Sequence, residues 1–365
     1  MRHRFFPALM DDFSIDALLI TGRTNVRYFT GFTGSNAQVV AFRDKRQPPP
    51  FSKGGRGGLW FLTDSRYKIQ ACDEVRGYRI KIYKNGLPET SALIKKHKVK
   101  RLGIEGRAVD YSTYLKLKKS LPGTRFIDVE EGISKKRAIK DSSEIEAIKK
   151  AVSFADAGFR VAETKPVIGR TEKELALDIE REVKKRGADG LSFDVIVASG
   201  KRSALPHGAP SGKRIRAGEF LTIDMGASFK GYKSDETRTY VTGPPTRRQK
   251  KIYCVVKAAH DAAIEAVREG APAKDIDRAA RDIIKKAGYA KYFGHGTGHG
   301  VGMDVHERPN ISGLSKDVLA LGMVITIEPG IYIPGFGGVR IESMVLVKKN
   351  GYEVLTNDKK ELRVL

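Results

Sequence analysis

Five short apolar runs, rich in β-branched residues and separated by polar or glycine-containing segments, mark the first third of the chain. "DALLIT" (16–21), "AQVVAF" (37–42), "LWFLTD" (59–64), "YRIKIY" (78–83) and "RLGIE" (101–105) have the length and composition of strands. "ETSALIKKHK" and "YSTYLKLKKSL" accompany them with apolar positions at helical spacing. The alternation predicts an α/β domain over residues 1–133.

The pattern changes near Ile133. "DSSE" (141–144) is a helix-start signature, a capping aspartate followed three positions later by glutamate, and apolar residues then recur at Ile145, Ile148, Val152, Ala155 and Phe159. Amphipathic helices are expected again around 172–186, 249–269 and 275–287. Between and after them lie "FDVIVAS", "FLTIDMG", "TYVTG", "MVITIEPG" and "GVRIESMVLV", all strand-like. Residues 134–365 therefore read as an α+β domain of antiparallel hairpins flanked by helices. No short tandem repeat is visible.

A length of 365 residues supports a core in each of two domains, and 40% hydrophobic with 30% charged residues is the balance of a soluble globular protein. No apolar run reaches membrane-spanning length, and the start "MRHRFFPALMDDFS" meets acids before a signal-like segment forms. Cys72 and Cys254 have no partner motif, which suits a reducing compartment; a cytoplasmic protein is expected. The formal net charge of +24 raises nucleic-acid binding as a question. The basic residues, however, occur as short runs ("IKKHKVKR", "KLKKS", "EVKKRG", "IIKKAG") spread along amphipathic segments, as solvated faces do. "RDKRQPPPFSKGGRGG" (43–58), with three prolines and four glycines, reads as a mobile hairpin-tip loop.

Candidate chemistry enters with the acids. In "LTIDMGASFKGYKSDETRTYV" two strand-like runs flank a glycine-containing turn, so a hairpin is expected. Asp224 and Asp235 lie eleven residues apart, and a symmetric turn between Phe229 and Lys230 sets them opposite one another, Cβ atoms about 5 Å apart. "VITIEPGIYIPGFGGVRIESMVLV" repeats the construction: Glu328 and Glu342 lie fourteen apart, centred on Gly335. Like charges opposed on apolar strands are destabilising. One such pair can share a proton or face water, but two pairs require cations.

The stretch "GHGTGHGVGMDVHERP" (294–309) adds His295, His299 and His306 on a backbone of five glycines. A phosphate-binding loop would lead into a helix and carry Lys-Ser/Thr or a dinucleotide signature, and this one does neither. Four carboxylates with imidazole describe an oxygen-rich site for two divalent ions. Such a set suits manganese, cobalt or iron as readily as zinc, and manganese is the first expectation. Two ions about 3.5 Å apart activate water near neutral pH and polarise a carbonyl, so the chemistry implied is hydrolysis of an amide or ester.

These stretches resemble the pita-bread metallopeptidases of the Xaa-Pro aminopeptidase and Xaa-Pro dipeptidase (prolidase) branch. "NVRYFTGFTGSNA" and "FLTDSRY" resemble its creatinase-like amino-terminal α/β domain. "SFDVIVASGKRSALPHGAPS", "IDMGASFKGYKSDETRTYVTG", "GHGTGHGVGMDVHERP", "ITIEPGIYIPG" and "GVRIES" resemble its catalytic motifs in order. The resemblance implies metal ligation by Asp224, Asp235, His299, Glu328 and Glu342, with Asp235 and Glu342 bridging two ions. It implies that Glu328 takes a proton from water, that His207 meets substrate near the scissile bond, and that His306 stabilises the developing oxyanion. His295 and Arg340 are expected behind these groups. A homodimer acting on proline-containing peptides, its amino-terminal domain helping to roof the active site, is also implied.

The chain departs from prolidases at Asn310, where an arginine often meets the dipeptide carboxylate, and Arg308 stands two residues earlier. This favours an aminopeptidase, with prolidase as the alternative. A creatinase-like enzyme without metals, or a nucleic-acid-contacting protein of the same fold, is the more distant alternative.

Overall fold

The computed structural model describes residues 2–43, 58–356 and 361–365, so the basic loop expected at 43–58 lies almost wholly outside the described residues. The chain forms two compact units, Met1–Lys136 and Arg137–Leu365, where the sequence suggested a boundary at 133/134. Among the described residues no helix is long and apolar enough to cross a membrane.

The first unit runs α1 (Phe6–Asp12), β1 (Ala17–Ile20), α2 (Arg23–Thr30), β2 (Ala37–Phe42), β3 (Leu59–Asp64) and α3 (Lys68–Glu74). It continues with β4 (Arg79–Tyr83), α4 (Gly86–Lys96), β5 (Arg101–Ile104), α5 (Tyr111–Ser120), β6 (Arg125–Asp128) and α6 (Glu130–Ala138), the last crossing the division. One mixed sheet, ordered β4-β3-β2-β1-β5-β6, buries Leu19, Val40, Leu62 and Leu102 in a core with Ile94 and Leu117. All five strands read from the sequence are present, whereas β6 and helices α1, α2, α3 and α6 were missed; α2 shows why. The α2 stretch "RTNVRYFT" is rich in residues that favour extended chain, and its N-cap Gly22 offers no side chain. The cap comes from elsewhere: the buried Glu105 carboxylate accepts from the main-chain N–H of Thr21, from that of Gly22 (2.8 Å) and from Asn25 Nδ2 (2.6 Å).

The second unit begins α7 (Ser142–Thr164), α8 (Glu172–Lys185), β7 (Gly190–Leu191), β8 (Ile196–Ser199), β9 (Phe220–Met225), β10 (Ala227–Phe229), β11 (Tyr232–Lys233) and β12 (Glu236–Val241). Then follow α9 (Arg247–Glu265), α10 (Ala273–Lys286), β13 (Gly298–Gly300), β14 (Glu307–Ile311), β15 (Val324–Ile327), β16 (Gly330–Ile333), β17 (Gly337–Arg340), β18 (Ser343–Lys348) and β19 (Gly351–Val354). Reciprocal capping boxes start α7 (Asp141 with Glu144), α8 (Thr171 with Glu174) and α9 (Thr246 with Gln249), each N-cap contributing about 1 kcal/mol. Helices α7 and α8 share one core with β8, β9 and β12, and α9 and α10 share another with β15 to β18. The unit thus repeats one plan, a helix pair and a hairpin, although no sequence repeat announces it.

Each hairpin leaves one sheet and enters another midway. The β9–β12 ladder stops at Gly226 and Asp235 and resumes as β10–β11. The β15–β18 ladder stops at Glu328 and Glu342 and resumes as β16–β17. Pairings on either side, Ile327↔Ser343 and Gly330↔Arg340, set Glu328 opposite Glu342 as the symmetric reading required. The first hairpin corrects its reading. Asp224 pairs with Thr237, and Asp235 falls opposite Gly226, one step of the pleat further along the same face. The turn residues are Lys230 and Gly231, both with positive φ (51° and 86°), so the turn is centred one residue later than assumed.

Gly226 has no room for a side chain, since a Cβ there would lie 1.8 Å from the Ser234 carbonyl oxygen. Gly226→Ala must therefore part the two strands where the ladder changes sheet. Urea unfolding is expected to record a loss of roughly 1–3 kcal/mol or more; unchanged stability would mean the strands separate freely there.

Candidate metal centre

The two ladder breaks bring their acids to one place. Ligand-competent atoms of Asp235, His299 and Glu342 lie within 4.8 Å of one another. His299 Nε2 is 3.6 Å from Asp235 Oδ2 and 3.5 Å from Glu328 Oε1. The second hairpin is stitched to the first through β12: Thr237 Oγ1 donates to Glu342 Oε2 (2.6 Å), and Thr239 Oγ1 donates to the Arg340 carbonyl (2.9 Å). Arg340, 3% exposed, donates from Nη2 to Asp224 Oδ2 (2.5 Å) and from Nε to Thr237 Oγ1 (2.9 Å).

Burial sets the electrostatics. It pushes Glu328 up to about 7, against the pull of Arg340. It raises Asp224, again opposed by Arg340. Asp235 and Glu342 rise well above the usual carboxylate range, by burial first and then by their acidic neighbours. Four such groups, three buried and Glu328 half-buried, gathered at one place must hold protons or find cations.

His299 decides which atoms face the acids. Its Nδ1 lies 3.1 Å from the Gly300 carbonyl and must carry the hydrogen, and burial lowers the ring to about 4, so it is neutral. Its Nε2 lone pair therefore points at two carboxylate oxygens, a contact that is repulsive when they are ionised and that a shared proton or an interposed cation relieves. Asp224 Oδ1 is buried and has no hydrogen-bond partner among the described residues. Oxygen donors in excess, one imidazole lone pair and an orphaned carboxylate oxygen fit divalent metal.

Comparison with known proteins agrees. Residues 146–349 match the model of metallopeptidase family M24, and residues 2–139 match the creatinase/prolidase N-terminal domain. The chain belongs to metallopeptidase family M24. The chain is 40% identical to a protein named Xaa-Pro dipeptidase from Pyrococcus horikoshii, over 97% of this chain and 96% of the relative. Among solved structures, the Xaa-Pro dipeptidase from Bacillus anthracis superposes with a TM-score of 0.91 at 39% identity, covering 98% of this chain and 97% of that one. An X-Pro aminopeptidase from Thermotoga maritima superposes at 0.86 with 34% identity, covering 98% and 100%. The fold is a creatinase-type amino-terminal domain followed by a pita-bread catalytic domain, and the protein is a metallopeptidase.

Around the M24 centre the remaining sequence candidates take distinct positions. His207 is exposed and follows Pro206, whose carbonyl accepts from Arg340 Nη1 (3.0 Å). His306 is exposed, with its ring centroid 4.3 Å from that of His299. His295 lies behind the acids: Nδ1 donates to the Gly296 carbonyl (2.7 Å), Nε2 accepts from Tyr332 Oη (3.0 Å), and Tyr332 in turn accepts from Arg340 Nη1 (2.9 Å). Arg308 is bound to Asp317 through Nε (3.2 Å) and Nη2, and Asp317 Oδ2 also accepts from the Asn310 main-chain N–H (2.9 Å). Asn310 itself is exposed and pairs with His299 across β13–β14.

Sequence reasoning missed Thr237 and Tyr332, which orient Glu342 and Arg340, and Asp277, which reaches from α10 to accept from Thr297 N (3.2 Å) and Oγ1 (2.8 Å). Alternation along β12 was a usable signal for Thr237, two positions after Asp235.

Proposed function

We propose that this M24 enzyme hydrolyses the bond between an amino-terminal residue and a following proline, using two divalent ions held by Asp224, Asp235, His299, Glu328 and Glu342, with Asp235 and Glu342 bridging. The observation that carries the reading is the neutral His299 lone pair facing Asp235 and Glu328 within a ring of buried acids. Bound there, the ions supply Lewis acidity and an activated water. Manganese is the proposed pair, with cobalt, zinc and iron as the alternatives that metal analysis distinguishes. Glu328, with a pKa raised to about 7, is poised to accept a proton at neutral pH. His207 and His306, exposed and beside the acids, are proposed to meet substrate and to donate to the developing oxyanion. A homodimer in the cytoplasm completes the proposal; free, exposed Cys72 and Cys254 suit that reducing compartment.

Substrate length turns on Asn310. A dipeptidase must satisfy the free carboxylate one residue past the scissile bond, which a guanidinium does well. Asn310 supplies no charge, and Arg308 is held by Asp317. An aminopeptidase that accepts residues beyond proline is therefore the proposal. The relatives named Xaa-Pro dipeptidase favour the second reading, in which Arg308 leaves Asp317 to bind the dipeptide. With the manganese-loaded enzyme, kcat/KM for Ala-Pro-Ala is expected to exceed that for Ala-Pro by at least about tenfold. A preference for Ala-Pro that disappears in Arg308→Ala would establish the dipeptidase instead. Hydrolysis of neither, by enzyme shown to contain metal, would sink both.

A further inference from the structure

The segment that carries His207 is anchored at both ends by one carboxylate outside the metal centre. Glu172, in the first turn of α8, is fully buried. Its Oε1 accepts from Ser199 N (2.8 Å) and Ser199 Oγ (2.9 Å), where the segment leaves β8. Its Oε2 accepts from Ser211 N (3.0 Å) and Ser211 Oγ (2.7 Å), where the segment returns, and from Arg202 Nε (2.9 Å), just after it leaves. Arg202 passes the restraint inward, since its Nη2 donates to the carbonyl of Ala209, two residues after His207 (2.5 Å). From the opposite side Arg340 Nη1 donates to the carbonyl of Pro206, one residue before His207 (3.0 Å). His207 is thus suspended between Arg340, which also binds Asp224, and the Glu172–Arg202 pair.

Five donors converge on one buried carboxylate, more than capping α8 requires. Thr171 and Glu174 already form that helix's capping box. The main-chain N–H groups of Glu172 and Lys173 bond the carbonyls of Lys213 and Ser211, so α8 holds the returning segment without the Glu172 side chain. What that side chain adds is the gathering of Ser199, Arg202 and Ser211 onto one point.

We propose that Glu172 is a positioning residue for the peptidase reaction, setting the place of His207 relative to Asp224 through Arg202 and the two serines. The inference rests on the reading of His207 as a substrate-facing group. A misplacement of about 1 Å at such a group costs on the order of 100-fold in rate.

The test is a double-mutant cycle on the manganese-loaded enzyme, with kcat and KM for Ala-Pro-Ala measured for wild type, Glu172→Gln, His207→Ala and the double variant. Manganese affinity by calorimetry and melting temperature are followed in parallel. Glu172→Gln is expected to lower kcat/KM roughly 10- to 100-fold in the wild-type background and less than about threefold once His207 is alanine. Manganese affinity is expected to stay within about twofold. Equal losses in both backgrounds, or a matching loss of manganese affinity, would overturn the positioning role. A His207→Ala variant that keeps the wild-type kcat/KM would instead overturn the reading of His207, whereas one lowered but measurable carries the cycle. If Glu172→Gln does not fold, Ser211→Ala, which removes one bond to Glu172 together with the bond that Ser211 Oγ accepts from the Lys213 main-chain N–H (3.1 Å), replaces it in the cycle, and additivity there counts against the proposal equally.

Discussion

Replacing Asp235 with asparagine is expected to abolish hydrolysis while leaving the metal-free protein at least as stable as wild type. The two effects have one cause. Asp235 sits at the interruption of the β9–β12 ladder, buried, where Glu342, Asp224 and Glu328 all raise its pKa after burial has done so. Without cations its ionised form is a liability; an amide of the same shape removes that charge at the cost of a weaker donor to metal. Relief equivalent to one unit of raised pKa is worth about 1.4 kcal/mol. Because the proposal has Asp235 shared between the two ions, its loss should exceed the 10- to 100-fold penalty typical of groups that merely support ligands. Calorimetric manganese titration is expected to give fewer than two sites, and kcat/KM for Ala-Pro-Ala to fall below detection. A folded, manganese-reloaded variant that turns over normally would remove Asp235 from the ligand set.

How far the sequence could be read depended on how local each signal was. Strands of the first unit were legible because β-branched runs such as "AQVVAF" carry their own preference, and α7 because Asp141 and Glu144 announce it. Helix α2 was not, because its cap is Glu105, about eighty residues away in sequence. "GVRIESMVLV" read as one strand but forms two, β17 and β18, because the ladder opens at Glu342 to place an acid in the centre. The centre itself was legible from spacing: residues 328 and 342 fell in register about Gly335, and residues 224 and 235 missed by one step because Lys230-Gly231 moved the turn. An error of an even number of residues preserves the face, so the aspartates still converge. Tyr332 and Glu172 were silent for another reason. Each acts through a partner brought near only by tertiary packing, and no spacing rule reaches from Glu172 to Ser199 and Ser211.

Stability of the metal-stripped protein is expected to fall as pH rises above about 6.5, and saturating manganese to abolish or reverse the fall. The sign follows from which state holds the protons. Glu328 titrates near 7 in the folded protein against 4.5 as an ordinary glutamate, and Asp235 and Glu342 titrate well above their ordinary values. Raised acids keep protons in the folded state that the unfolded chain has released, so their contribution is complete below the ordinary carboxylate pKa and is lost through the folded one. His295 and His299 act oppositely: both are lowered by burial to about 4 from 6.5, so the unfolded chain binds more protons between those values and stability rises there with pH. Above 6.5 the histidines no longer contribute and the acids stand alone. Each proton that the folded centre keeps beyond the unfolded chain makes the decline steeper by roughly 1.4 kcal/mol per pH unit. Denaturant unfolding of chelator-treated protein at pH 6.5, 7.5 and 8.5 measures it directly. Manganese competes with those same protons, so its affinity should increase over this range and its stabilisation with it. A metal-free protein whose stability is level from pH 6.5 to 8.5 would mean that the acids are already ionised in the folded chain. Their burial would then be satisfied without cations, which removes the electrostatic ground for a two-ion site.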